Sequence, residues 1–270
     1  MKNEKTYELV LTALFTAIIV IMAFTPLGYI PLVVINATVI HIPVILGALF
    51  LGPKKGAFLG FIFGLTSFIN NTFKAATASA FVFSPVLAAD IIGISGIFKS
   101  MYICFIPRIL VGIIPYYIYL LISSLLKKEQ KIWRILIHAV AAIILFFSVR
   151  AFVSNLAGEE NTLISALIGL ACGIILFVVL TINADKKGAA NIALAYAGLT
   201  GAFTNTLFVM SGIFILYKDA YANALGIAGD TVIDVIMGVV SFNGIVEAVV
   251  AAILVSGIGL ALLHIKPIKA

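Results

Sequence analysis

"PLVVINATVIHIPVILGALFLGPKKGAFLGFIFGLTSFINN", Pro31 to Asn71, decides how the chain is read. Two almost wholly apolar runs meet at the tight basic hairpin GPKKG. A bilayer-spanning helix needs about 20 mainly apolar residues, and both runs come close to that length. Yet the first run carries Asn36, Thr38 and His41, and the second ends in Thr66, Ser67, Asn70 and Asn71. The hydrogen-bonding groups therefore collect at the end away from the lysines.

The rest of the chain has the same character. Of its 270 residues, 63% are hydrophobic and only 10% charged, whereas a soluble domain is about a quarter charged. Such a composition cannot supply an aqueous surface, and the expected fold class is an all-α integral membrane protein. No long polar block interrupts it, so residues 1–270 read as a single membrane domain. Apolar windows at 7–26, 33–51, 57–73, 102–125, 132–152, 163–182, 191–217 and 235–263 predict about eight transmembrane helices. The stretch 75–97, interrupted by Pro85, Asp90 and two glycines, is expected to be a long outer loop. The first window is too long for a signal peptide and lacks a small-residue cleavage site, so it reads as a retained helix.

The net charge of +6 is a topological signal and does not point to nucleic acid. Twelve of the 17 lysines and arginines fall in five clusters: Lys2 and Lys5, Lys54 and Lys55, Lys127 to Arg134, Lys186 and Lys187, and Lys266 and Lys269. With eight helices all five lie on one side, which predicts a multi-pass protein of the cell membrane with both termini cytoplasmic. Cys104 and Cys172 both sit in apolar runs. They read as packing residues, so neither a disulfide framework nor a metal site follows.

Polar side chains inside a bilayer are costly and tend to face a cavity or a partner. His41 lies ten residues from Leu51, roughly 15 Å above the cytoplasmic edge at 1.5 Å per residue. Asn205 is similarly deep in its helix. Asn243 and Glu247 are one turn apart on one face of the last helix. Arg108 is just inside the outer end of its helix. Nearly every such group lies in the middle or outer half of the bilayer, forming a cup that opens outward. A channel needs polar lining from end to end, and a proton-coupled carrier usually shows titratable relays. A pocket for a small polar molecule fits this distribution better. No zinc-protease motif, nucleophile elbow, phosphate-binding loop or helix-borne carboxylate pair occurs, so neither an enzyme nor a cofactor is expected. Gly56, Gly60 and Gly64 repeat every four residues and expose bare backbone for close helix approach. Gly169 with Gly173, and more weakly Ala13 with Ala17, repeat the pattern.

The segments "FTPLGYIPL…NATVIHIPVILGALFLGPKKGAFLGFIFGLTSF", "FVFSPVLA", "PRILVG", "GAFTNT" and "NGIVEAVVAAIL" together resemble the substrate-binding S component of energy-coupling factor (ECF) vitamin transporters. The resemblance implies a six-helix membrane protein that captures a vitamin in the outer leaflet. It would then dock on a transmembrane coupling subunit with two ATPases, which power release into the cell. It further implies that Ala13 and Ala17 form the docking face. Residues 131–185 depart from the pattern, adding a helix pair to the usual six. The HIP, GPKKG and GAFTNT segments look most like the pantothenate branch, with folate, pyridoxine and hydroxymethylpyrimidine branches nearby. A stand-alone secondary carrier is the rival of another class. The expected substrate-binding residues are Asn36, Thr38, His41, Asn70, Asn71, Lys74, Arg108, Asn205, Asn243 and Glu247, with Lys99 as a further cation for a carboxylate.

Overall fold

Glycine and proline set most of the helix boundaries. A computed structural model describes residues 2–31, 36–75, 77–127, 131–157, 162–265 and 267–268. Helix α1 (Lys2–Phe24) is followed by a small antiparallel hairpin, β1 (Tyr29–Pro31) and β2 (Asn36–Thr38), with Tyr29 opposite Thr38. Helix α2 (His41–Leu51) stops at Gly52, whose φ of 88° no side chain tolerates easily, and Pro53 then opens α3 (Pro53–Lys74). Ser84 caps α4 (Pro85–Ile92) by accepting from the Leu87 N–H at 3.2 Å. Gly93 separates α4 from α5 (Ile94–Val111), and a turn at Gly112 separates α5 from α6 (Ile114–Lys127).

The chain continues through α7 (Lys131–Ala157) into α8 (Thr162–Leu225), which is helical throughout except at Gly188. There a φ of 76° and ψ of 164° divide it into two arms, α8a (162–187) and α8b (189–225). Helix α9 (Val232–Val239) passes through a π-helical turn, Val240–Gly244, into α10 (Ile245–Leu263). Among the described residues, seven helical segments are long and apolar enough to cross a membrane, and α2 is a shorter apolar helix beside them. Helices α1, α2, α3, α5–α6, α8b and α9–α10 form a six-unit bundle, with α7 and α8a as a further pair. The large side chains left exposed, such as Leu9, Ile135, Leu167 and Ile253, are those a bilayer would cover.

Three boundaries differ from the sequence expectation. The window 33–51 yields helix only from His41, because its first part belongs to the hairpin and residues 32–35 lie outside the described ones. The outer loop 75–97 contains α4 and the first residues of α5. The window 102–125 is two helices, since Gly112 and Pro115 interrupt the ladder.

Close backbone packing sets the depth of the fourth unit. A Cβ on Gly56, Gly60 or Gly64 would collide with backbone of Gly112, Arg108 or Cys104 respectively. The three glycines thus lie in antiparallel register along α5, and the ladder works within the chain. Two separate apolar clusters result. One contains Ile19, Val44, Leu59, Val111, Leu194, Ala251 and Val255. The other contains Phe81, Ile103, Val209, Ile213, Tyr217 and Ile236.

Candidate functional site

Along three units of the bundle, the step from one cluster to the other is made by polar residues. On α5 Arg108 falls between Ile103 and Val111, and on α8b Thr204, Asn205 and Thr206 fall between Ala202 and Val209. On the last unit Ser241, Asn243 and Glu247 fall between Ile236 and Ala248. This is a polar layer with apolar material on both sides.

Glu247 links three elements of the bundle. It is 5% exposed. One carboxylate oxygen accepts the Thr38 backbone N–H at 2.8 Å, and the other accepts the Thr206 hydroxyl at 3.1 Å. The last helix is thereby tied both to α8b and to the hairpin. The fully buried His41 begins α2 three residues after Thr38, whose backbone is its polar neighbour.

Arg108 is buried between two rings, its guanidinium carbon 5.5 Å from the centre of Phe63 and 5.2 Å from that of Phe83. It donates to the Ile103 carbonyl, and its charge bears on Glu247. A flat cation held between aromatic faces is well placed for a carboxylate. Asn205 and Asn243 each bury an Oδ1 that finds no hydrogen-bond partner among the described residues. A buried acceptor left unmatched costs on the order of 1–3 kcal/mol. Asn243 sits in the π-helical turn, and such turns occur frequently at functional sites.

The remaining expected site residues have other partners. Asn70 donates to the Ala23 carbonyl at 3.5 Å, joining α3 to α1, and Asn71 donates to Ser67 in its own helix at 2.8 Å. Lys74 is exposed, with its ammonium 5.9 Å from the Phe24 ring. Lys99 lies over Tyr217 at 5.7 Å. Asn36 pairs with Pro31 in the hairpin, and its side chain lies outside the described residues. Sequence reasoning missed the π-helical turn and the aromatic pair around Arg108. Phe63 and Phe83 belong to separate helices, and no spacing along the chain connects them.

A second feature lies on the outside of α1. Ala13 and Ala17 are exposed and line a groove of about 560 Å³ with Leu9, Thr12, Thr16, Val20, Ile21 and Phe58. The hydroxyls of Thr12 and Thr16 bond back to carbonyls of their own helix, at 2.7 and 2.9 Å. The groove is therefore apolar in practice. An ion pair between Lys55 and Glu8 fastens α1 to α3.

A multi-pass helical bundle with a buried polar layer and an apolar outer groove is an arrangement that suits a membrane transport subunit. Residues 8–158 match the family described as ECF transporter, substrate-specific component, and the chain belongs to that family. A pantothenic acid transporter PanT of Lactococcus lactis subsp. cremoris is 41% identical over 128 residues, which are 44% of this chain and 61% of that protein. A pantothenate transporter PanT of Leuconostoc mesenteroides subsp. mesenteroides is 28% identical over 270 residues, 98% of this chain and 96% of that protein. The first similarity thus spans less than two thirds of the Lactococcus protein, and the second nearly all of the Leuconostoc one.

Proposed function

We propose that the protein captures pantothenate from outside the cell and delivers it inward with energy from partner ATPases. The observation that carries this reading is the polar layer, which holds two asparagine oxygens without partners among the described residues and the buried Arg108. Pantothenate brings a carboxylate for Arg108, and an amide N–H and two hydroxyls for Asn205 and Asn243. The two relatives named as pantothenate transporters favour this vitamin over folate, pyridoxine and hydroxymethylpyrimidine.

In this reading the layer is closed off from solvent, because Arg108, Asn205 and Glu247 are all buried. Entry requires the β1–β2 hairpin to lift, which parts Thr38 from Glu247. In the same reading the alanine groove on α1 is the face that meets the coupling subunit, and the lysine and arginine clusters favour cytoplasmic termini. Residues 131–185 are the inserted pair. Their position as an insertion agrees with the Lactococcus relative being shorter, since 128 residues already make up 61% of it.

Equilibrium binding of labelled pantothenate to the purified chain, beside a vitamin panel, tests the assignment. Tight one-to-one binding without ATP hydrolysis is the expected result. Preference for another vitamin would overturn the substrate. Gradient-driven pantothenate uptake into liposomes holding this chain alone would overturn the dependence on partners.

A further inference from the structure

We propose that Phe152, on the added helix α7, is a positioning residue that fixes the π-helical turn and so aims Asn243 into the polar layer. The inference rests on the reading of that layer as the pantothenate site. A π-helical turn widens the helix by one residue and seldom exceeds a single turn, so something outside the helix must favour it. On one flank α8b runs alongside, where a Cβ added at Gly244 would make an ordinary contact with Thr206 at 3.4 Å. On the other, the Phe242 ring meets the Phe152 ring with centroids 4.8 Å apart and planes at 46°. Phe242 is thus held by α7, and Asn243 follows it directly in the chain.

The added pair has the rigidity to act as this support. A Cβ on Gly169 would come within 2.8 Å of the Phe146 carbonyl oxygen, and one on Gly173 within 3.0 Å of the Ala142 carbonyl oxygen. Helix α8a therefore lies directly on the α7 backbone. Further toward the inner end, the Tyr196 hydroxyl of α8b donates to the Ile137 carbonyl of α7 at 2.7 Å. His138 of α7 packs edge-on to Phe177 and meets the Thr181 hydroxyl of α8a at 3.3 Å. Helix α7 is consequently anchored at its inner end by Ile137 and reaches the π-helical turn near its outer end through Phe152. The pair braces the wall of the binding layer formed by α8b and α9–α10, whereas the alanine groove belongs to α1 and α3.

A double-mutant cycle on the full-length purified protein tests this, with pantothenate affinity as the readout. Asn243→Ala should weaken binding by about tenfold, as for a lost buried hydrogen bond. Phe152→Ala should weaken it by roughly three- to tenfold, and the double variant should bind within about twofold of Asn243→Ala alone, because both changes act on one contact. Phe152→Leu, which keeps apolar volume and guards against a folding defect, should fall between wild type and Phe152→Ala. Losses that multiply in the double variant would overturn the positioning role, as would unchanged affinity in Phe152→Ala. Unchanged affinity in Asn243→Ala would overturn the reading of the layer itself, and the positioning role with it.

Discussion

Replacing Gly60 with alanine puts the helix register that holds Arg108 to the test. An added Cβ would come within 2.8 Å of both the Arg108 carbonyl carbon and the Ile109 Cα, with the Arg108 oxygen nearer still. All three are backbone atoms, so no side chain can swing aside and α5 must move away bodily. Overpacking of this kind costs about 1–3 kcal/mol, and contact with backbone puts Gly60 at the upper end. Alanine in a helix returns roughly 0.5–1 kcal/mol over glycine. A net loss of about 2 kcal/mol remains, a factor of roughly thirty in the folding equilibrium. Gly257 is the control, because an added Cβ there meets nothing within 4 Å. Reversible unfolding in detergent micelles should therefore show Gly60→Ala destabilised and Gly257→Ala unchanged or slightly stabilised. Pantothenate binding should weaken only in the first, because Arg108 retreats with α5 from its place between Phe63 and Phe83. Equal stability of the two variants would refute the argument that bare backbone at Gly60 is what lets α5 seat.

Three further outcomes are expected. Ala13→Leu or Ala17→Leu fills the exposed groove on α1, so cellular uptake should fall at least tenfold while binding by the isolated protein stays within about twofold, since neither residue borders the polar layer. Arg108→Lys keeps the charge but loses the flat stacking and forked donors; pantothenate affinity should drop by about tenfold or more, with less effect on the uncharged alcohol analogue, as isothermal titration can show. Glu247→Ala leaves the Thr38 N–H and the Thr206 hydroxyl without their acceptor, a loss of on the order of 1–3 kcal/mol; hydrogen exchange in the hairpin should quicken, and unchanged protection would rule out Glu247 as its anchor.

Hydropathy made the membrane helices legible because a bilayer imposes length and polarity on each of them. The glycine ladder was legible for a related reason: Gly56, Gly60 and Gly64 leave one face without side chains, and α5 fills it. The hairpin was not, since the apolar run from Val33 reads equally as helix or strand and periodicity alone cannot separate them. The π-helical turn left no trace either, because a single extra residue in a turn does not disturb an apolar window. Asn243 and Glu247 stood out as buried polar residues, and the structure places them in one layer with Asn205 and Arg108. Asn70, Asn71 and Lys74 stood out by the same criterion, yet Asn70 and Asn71 bond to nearby backbone and Lys74 is exposed. Depth along a helix is readable from a sequence, whereas rotation about its axis depends on neighbours that the sequence does not name.

The polar layer also has a mechanical consequence. The two apolar clusters are separate, and the polar layer lies between them along the bundle. A molecule bound there would act as a rivet, joining the α5, α8b and α9–α10 contributions of both halves at once. Heat stability should then rise with ligand concentration as RT ln(1 + [L]/Kd), with the gain in protection falling at the join between the clusters. The bound vitamin would be cargo and, for as long as it stays, a structural part of the carrier.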